Sequence, residues 1–139
     1  MKHVVVQHIK GLSFAGKADS NHWVVMDGPV DQGGSDAAVR PKELLLVALG
    51  GCTGIDVASI LKKKRVALDN FEMIITADEA TGYPQVFTSI HLEYVFYGKD
   101  IRAADVERAI ELSKTKYCSV SAMLEKAVPI AHTYRIEAR

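Results

Sequence analysis

Two cysteines are the residues of this sequence best suited to chemistry. Cys52 lies in the glycine-rich stretch GGCTG, and Cys118 lies in the stretch KYCSV. A cysteine reacts as its thiolate, which a neighbouring lysine or the start of a helix stabilises, and we expect both beside Cys118. A buried cysteine without such neighbours is a small apolar side chain. The residue types alone leave both interpretations open.

The other residues that could carry chemistry do not match a known motif. Neither HxH nor HExxH nor Cys-x-x-Cys spacing occurs, so we expect no metal site. The loop Gly33–Ser35 lacks the spacing of a phosphate-binding loop, and GxSxG is also absent. We therefore expect no cofactor, and we place the histidines on strands as ordinary core or surface imidazoles. These are His3, His8, His22, His91 and His132.

Composition narrows the class of protein. The 139 residues are 48% hydrophobic, which fits a single domain over residues 1–139 with its own core. Seventeen basic residues balance seventeen acidic ones, and no basic stripe with aromatic residues occurs, so nucleic acid is not an expected partner. The N-terminus lacks the apolar segment of a signal peptide, and two cysteines do not make a secreted disulfide scaffold. We expect a cytoplasmic protein.

A long apolar helix is predicted from Pro41 to Lys64. Proline suits the first helical position, and the lysines at the other end suit the negative pole of a helix. Its side chains are apolar nearly all the way round, which predicts a central, buried helix. Asp56 interrupts the uncharged run Leu44–Ile55 well short of the roughly 20 apolar residues that a membrane span needs, so we expect no membrane partner.

The remaining patterns predict an α+β fold. Alternating or β-branched segments predict strands at Lys2–Lys10, Leu12–Ala15, His22–Asp27, Asn70–Asp78, Val86–Tyr97 and Ile130–Glu137. Helical spacing predicts two further helices, Asp100–Lys116 and Ser119–Ala127. The order of strands, long helix, hairpin, helix pair and strand is not an alternating βαβ pattern.

The stretches PKELLLVALGGCT and KYCSVSAML, taken together, resemble the OsmC/Ohr family of osmotically inducible proteins and organic hydroperoxide reductases. The interval from Pro41 to Cys52 and the later cysteine carry the resemblance, and the order of elements extends it over the whole chain. The resemblance implies an intertwined homodimer in which antiparallel sheets wrap around long central helices. It also implies reduction of organic hydroperoxides by thiols, without metal or flavin.

Carried over by position, Cys52 matches the attacking thiol of that family and Cys118 matches the resolving thiol. The implied reaction oxidises Cys52 to a sulfenic acid and releases an alcohol. Cys118 then condenses with the sulfenic acid to a disulfide, which a dithiol reductant reopens. An apolar surround raises the pKa of a thiol, so a cation is needed to hold the thiolate.

The expected cation and its carboxylate partner depart from the family pattern. A glutamate directly follows the helix-opening proline in the peroxidases, but Lys42 stands there in this sequence and Glu43 follows one place later. Arg40 is the first arginine of the chain, and Lys17 is the nearest cation in the expected glycine-rich turn. The pair is therefore either missing or rebuilt, and Arg40 and Glu43 are the candidates for it. Glu43 could equally cap the helix, and Arg40 could be solvated. About 15 Å of helix separates Lys42 from Cys52, so a second subunit would have to present such residues.

Asp56 lies four residues after Cys52 on the same helix face, where its charge would oppose a thiolate. We interpret it as a polar residue solvated at a dimer seam. The sequence also leaves a second function open, that of a non-enzymatic OsmC-fold stress or small-molecule-binding protein with inert thiols. A cysteine pKa near 8.5 or above would favour binding, and a strongly lowered one would favour catalysis.

Overall fold

The computed structural model describes residues 1–138, which form the predicted α+β fold with two three-stranded sheets. The chain divides into two compact units, Met1–Leu46 and Val47–Arg139, and each unit is described by itself. The expected single domain over residues 1–139 stays a prediction.

The first unit contains an antiparallel sheet of three consecutive strands, as predicted, with bounds that differ by a few residues. They are β1 (Val5–Lys10), β2 (Ser13–Lys17) and β3 (Trp23–Met26). Gly11 makes the turn between the first two strands with a φ of +57°, which glycine adopts without the steric cost of a side chain. Beyond β3, the carboxylate of buried Asp27 accepts backbone N–H bonds from Ser35 and Ala37, which fixes the loop that leads into the long helix.

Helix α1 (Pro41–Lys63) confirms the predicted long helix almost to the residue. The residues of α1 that are buried within the chain form one stripe, which consists of Leu49, Gly50, Thr53, Val57 and Leu61. Val47 and Ile55 are 60% and 72% exposed, so the prediction of a helix buried all round is wrong for the single chain. By length and composition α1 could cross a bilayer, but core helices of soluble proteins meet the same criteria.

The second unit holds a mixed sheet. The hairpin of β4 (Asn70–Glu79) and β5 (Phe87–Tyr97) is antiparallel, as predicted. The expectation of purely antiparallel sheets is wrong for β6 (Ile130–Glu137), which lies parallel to β5 because the chain returns through helices before it rejoins the sheet. The middle strand β5 supplies the core of this unit, and Tyr94 and Phe96 are fully buried.

Helix α1 approaches this sheet closely at Gly50. A Cβ atom built on Gly50 would lie 2.6 Å from the Cδ1 atom of Ile75 on β4, whereas one on Gly54 would make an ordinary contact, 3.6 Å from Met73. Two of the glycines beside Cys52 therefore lie where α1 packs against β4. This packing offsets the roughly 1 kcal/mol that each glycine costs a helix.

The connection from β5 to β6 is less regular than predicted. Helix α2 (Ala103–Leu112) ends before the predicted Lys116, and a π-helical turn, Ser113–Tyr117, follows it. The N–H of Cys118 donates to the carbonyl of Ser113 at 2.8 Å, which closes the wide turn. Helix α3 (Ser119–Leu124) then begins immediately after Cys118 and ends earlier than the predicted Ala127.

Candidate functional site

The fold of the second unit brings the two cysteines together. Cys52 comes from the middle of α1 and is half-buried, whereas Cys118 lies at the N-terminal end of α3 and is 3% exposed. Both are free thiols, and their Sγ atoms lie within 4.8 Å of each other. A disulfide bond is about 2.05 Å long, so the two sulfurs are near each other but must approach further to form one.

Hydrogen-bond donors converge on the sulfur of Cys118. The Oγ1 of Thr53 lies 3.3 Å from it, and the backbone N–H of Ser121 donates to it at 3.4 Å. Burial opposes ionisation here, but hydrogen bonds from Ser121, Thr53 and Cys52 outweigh it and lower the pKa of the Cys118 thiol. Cys118 is therefore the sulfur that ionises first.

The environment of Cys52 acts in the opposite direction. Burial raises the pKa of the Cys52 thiol, and the nearby charges of Cys118 and Asp56 raise it further, although a backbone hydrogen bond from Val120 opposes them. The lowered pKa thus belongs to the thiol that the resemblance assigns as resolving, and the raised pKa belongs to the one it assigns as attacking.

Asp56 is part of this cluster rather than a residue with solvent alone around it. One of its carboxylate oxygens lies within 4.8 Å of both sulfur atoms. Its Oδ2 accepts a hydrogen bond of 3.0 Å from the hydroxyl of Ser113, a fully buried residue. Ser113 therefore contacts two members of the cluster, since its carbonyl also accepts the N–H of Cys118.

A tyrosine and a histidine lie next to this cluster on the sheet. Tyr94 on β5 is fully buried, and its hydroxyl lies 2.8 Å from Nδ1 of His132 on β6. Burial, followed by the charges of Cys118 and Asp56, raises the pKa of Tyr94, and burial is the main cause of the lowered pKa of His132. The tyrosine stays protonated and the histidine stays neutral, and the histidine tautomer determines which of the two groups donates the hydrogen bond.

Arg40 and Glu43 belong to the first unit, where both have local partners. The guanidinium of Arg40 pairs with Asp36 at 2.6 Å and donates to the carbonyl of Ala38. The carboxylate of Glu43 accepts the backbone N–H of Arg40 at 3.3 Å, which is the capping contact that the sequence offered as an alternative. Their role at the thiols stays a prediction.

Three of the histidines have hydrogen-bond partners typical of structural imidazoles. His8 contacts the carbonyl of Gly11, His91 contacts Thr133 and His132 contacts Tyr94. Within residues 1–138, the donor atoms close enough to share a metal ion come instead from Cys52, Asp56 and Cys118. The sequence signal for this set was the spacing of Cys52 and Asp56; Thr53, Ser113 and Ser121 had no signal.

A pocket of about 480 Å³ lies in another part of the second unit, away from the two cysteines. Its lining includes Lys64 and Arg102, which both pair with Asp105. It contains none of the thiol cluster. We therefore choose the thiol cluster as the candidate site because of its reactive groups and not because of the volume of a pocket.

Comparisons with known proteins agree on one family. The OsmC-like protein family matches residues 33–133. Protein YhfA of Escherichia coli (strain K12) is 43% identical over 133 residues, 96% of each chain. The crystal structure of a hypothetical protein from Aquifex aeolicus VF5 is 27% identical and has a TM-score of 0.86, covering 100% of this chain and 98% of that chain.

A more distant solved structure shares the fold. It is an organic hydroperoxide resistance protein OsmC, predicted redox protein and regulator of sulfide bond formation, from Legionella pneumophila. The two chains are 12% identical, with a TM-score of 0.70 and coverage of 96% of each chain.

Proposed function

We propose that this chain, which belongs to the OsmC-like protein family, is a thiol-dependent redox protein that reduces organic hydroperoxides through Cys52 and Cys118. The observation that carries the proposal is the approach of the two sulfur atoms to within 4.8 Å. The sequence places these cysteines far apart, and a fold that joins them suits a dithiol–disulfide cycle. The name of the Legionella pneumophila protein supports hydroperoxides as the substrate class.

The opposed pKa shifts give each thiol a role in this proposal. When the pair loses one proton, the proton leaves Cys118, whose pKa is lowered by hydrogen bonds, and Cys52, whose pKa burial raises, keeps its own. Cys52 is the more exposed sulfur, so the hydroperoxide reaches it first. The Cys118 thiolate accepts the proton of Cys52 as the Cys52 sulfur attacks the outer peroxide oxygen. The pair thereby supplies the base that a raised Cys52 pKa requires.

The remaining steps balance without a cofactor. Attack breaks the O–O bond, leaves a sulfenic acid on Cys52 and releases an alkoxide, which takes a proton from solvent and leaves as the alcohol. The Cys118 thiol then displaces water from that sulfenic acid and forms the disulfide. One dithiol and one hydroperoxide thus yield one disulfide, one alcohol and one water. A dithiol reductant restores the pair by exchange.

Arg40 and Glu43 remain part of the proposal as the charged pair that would act near the thiols from a second subunit.

A homodimer is supported by the apolar side chains that one chain leaves exposed, such as Ile55 on α1 and Trp23 on β3. Light scattering should then give a mass of twice 15.2 kDa. We propose a cytoplasmic location, in keeping with thiols that stay reduced.

The test is turnover of tert-butyl hydroperoxide with dithiothreitol as the reductant. We expect wild-type protein to exceed the uncatalysed rate at least about 100-fold and Cys52→Ser to fall to that rate. Cys118→Ser removes both the base and the resolving thiol, so it should form no disulfide and consume one equivalent of peroxide more slowly than wild type, which leaves a sulfenic acid on Cys52 that dimedone traps. Asp78→Asn, an exposed carboxylate change, is the control and should keep wild-type turnover.

A wild-type rate equal to that of dithiothreitol alone would overturn the peroxidase proposal. Thiols that also stay unmodified by the hydroperoxide would favour the alternative, an OsmC-fold binding protein with inert cysteines. The raised pKa of Cys52 supports this alternative, because a thiol that keeps its proton is a poor nucleophile.

A further inference from the structure

We propose that the reduced protein binds a divalent cation of the zinc class through Cys52, Asp56 and Cys118. This site goes beyond the proposed peroxidase function, because it uses the same sulfurs with a carboxylate and without any oxidant. The three donor atoms, two sulfurs and one oxygen, lie within 4.8 Å of one another.

The donor set suits Zn²⁺. Zinc binds cysteine sulfur at about 2.3 Å and carboxylate oxygen at about 2.0 Å, so tetrahedral ligand atoms lie about 3 to 4 Å apart. Closing the cluster from its present spacing takes movements of about 1 Å or less at each donor. Two thiolates and a carboxylate supply three negative charges, and a fourth position stays open for water.

The surroundings of the cluster already hold two of the ligands in place. The hydroxyl of buried Ser113 donates to Oδ2 of Asp56 at 3.0 Å, and the Ser113 carbonyl accepts the N–H of Cys118 at 2.8 Å. The Thr53 hydroxyl lies 3.3 Å from the Cys118 sulfur. Hydrogen bonds of this kind orient metal ligands, and they commonly change metal affinity 10- to 100-fold.

A small pocket borders the cluster at Asp56, and neither cysteine is among its lining residues. Asp56 lines this pocket of about 100 Å³ together with Ser59, Ile60, Lys63 and Tyr117. This volume has room for a cation and a few waters, and it gives the ion a path to the half-buried carboxylate. Cys118 alone is too buried to receive an ion from solvent without such a path.

Binding would compete directly with oxidation. The cation takes both sulfurs as thiolates and releases the protons that they carried, so affinity rises with pH. A disulfide leaves no thiolate to bind, and a bound cation leaves no thiolate to attack a peroxide. The metal-bound and disulfide states therefore exclude each other.

The experiment is a Co²⁺ titration of tag-free, reduced wild-type protein in the absence of oxygen and thiol reductants. We expect a thiolate-to-cobalt charge-transfer band that saturates at one ion per chain and disappears when Zn²⁺ is added. Protein oxidised to the disulfide should give no band. These readings use neither peroxide nor turnover, so they stand apart from the peroxidase test.

Variants test the assignment of each ligand. Cys52→Ser and Cys118→Ser should abolish the saturable band, and Asp56→Asn should weaken cobalt binding at least about tenfold. Asp78→Asn is the matched control, because Asp78 also accepts a 3.0 Å hydrogen bond from a serine, Ser89, but lies on the exposed surface. It should bind as wild type does.

Two results would overturn the proposal. One is the absence of a charge-transfer band in reduced wild-type protein at millimolar Co²⁺, a reading that depends on no variant. The other is an affinity that is unchanged in Asp56→Asn, once its circular dichroism shows the wild-type fold.

Discussion

The two thiols reach one another from regions of different regularity. Cys52 comes from α1, a continuous helix of 23 residues, whereas Cys118 follows a π-helical turn and begins a helix of six residues. The regular region supplies burial and a neighbouring charge, which raise the pKa of Cys52. At Cys118, hydrogen bonds from Ser121 on α3 and from Thr53 on α1 outweigh burial and lower the pKa of the thiol. The opposite pKa shifts therefore follow from the hydrogen-bond donors around each sulfur rather than from the regularity of the backbone.

The largest effect should come from removing the serine that joins the two regions. Ser113→Ala leaves the Asp56 carboxylate without its buried donor, so we expect a loss of about 2 kcal/mol in the free energy of unfolding. Urea denaturation measures it. Ser89→Ala removes a hydrogen bond of the same length from an exposed site, and it should cost no more than about 0.5 kcal/mol. Equal losses in the two variants would contradict the role given to Ser113.

The packing of α1 gives the next largest effect. Gly50→Ala would force the new methyl group against Ile75, whereas Gly54→Ala would add an ordinary contact with Met73. Both gain helix propensity, so we expect Gly50→Ala to be about 1 kcal/mol less stable than Gly54→Ala. Denaturation of the two proteins under one set of conditions makes the comparison. A Gly50→Ala protein as stable as Gly54→Ala would show that the Ile75 side chain moves aside for the new methyl group and would contradict the predicted difference.

The regular region was the more predictable of the two. Proline at its start, lysines at its end and an uninterrupted apolar run fixed the bounds of α1, and period-two alternation gave β4, β5 and β6. The predicted second helix extends to Lys116, but α2 ends earlier, at the π-helical turn. The spacing of apolar residues predicts a helix and does not distinguish an α-helical turn from a wider π-helical turn at its end. This turn buries Ser113 between Asp56 and Cys118, so that contact could not be predicted from the sequence.

Burial was misjudged for a related reason. Apolar residues all round α1 indicated a helix covered on every side, but Ile55 stays exposed in the single chain. A sequence reports what a helix can bury and does not say which chain covers it. The spacing of Asp56 to Cys52 predicted that its charge lies near that thiol. Its hydrogen-bond partner, Ser113, is remote in sequence and could not be predicted in the same way.

A third prediction concerns the ionisation of each thiol alone. In Cys52→Ser, the remaining Cys118 should ionise at a lower pH than a cysteine in the unfolded chain, because its hydrogen bonds favour the thiolate. In Cys118→Ser, Cys52 should ionise at a higher pH, since burial and Asp56 disfavour the thiolate. Far-ultraviolet absorbance of the thiolate, followed against pH, measures both midpoints.

The same pKa shifts determine whether each thiol makes the folded state more or less stable as the pH changes. The Cys118 thiolate stabilises the folded state at pH above the pKa of an unfolded thiol, and this contribution is lost as the pH falls through the lowered folded pKa. Cys52 acts in reverse, and its contribution is lost as the pH rises. Midpoints in the opposite order would remove the basis for giving the two thiols different roles.

The smallest predicted effect belongs to one hydrogen bond. Thr53→Val in the Cys52→Ser background removes a donor to the Cys118 sulfur, so the pKa of that thiol should rise and its alkylation by iodoacetamide near pH 7 should slow about threefold. Thr53→Ser keeps the hydroxyl and is the matched control. A valine variant that reacts at the rate of the serine variant would exclude Thr53 as a donor.

The central claim is that Cys52 and Cys118 form one redox pair, and its most direct test is mass spectrometry after a single oxidation. Reduced protein is treated with one equivalent of tert-butyl hydroperoxide, alkylated and digested. We predict consumption of the whole equivalent and one linked peptide that joins Cys52 to Cys118. Peptides in which both cysteines are alkylated, with the hydroperoxide still present, would contradict it.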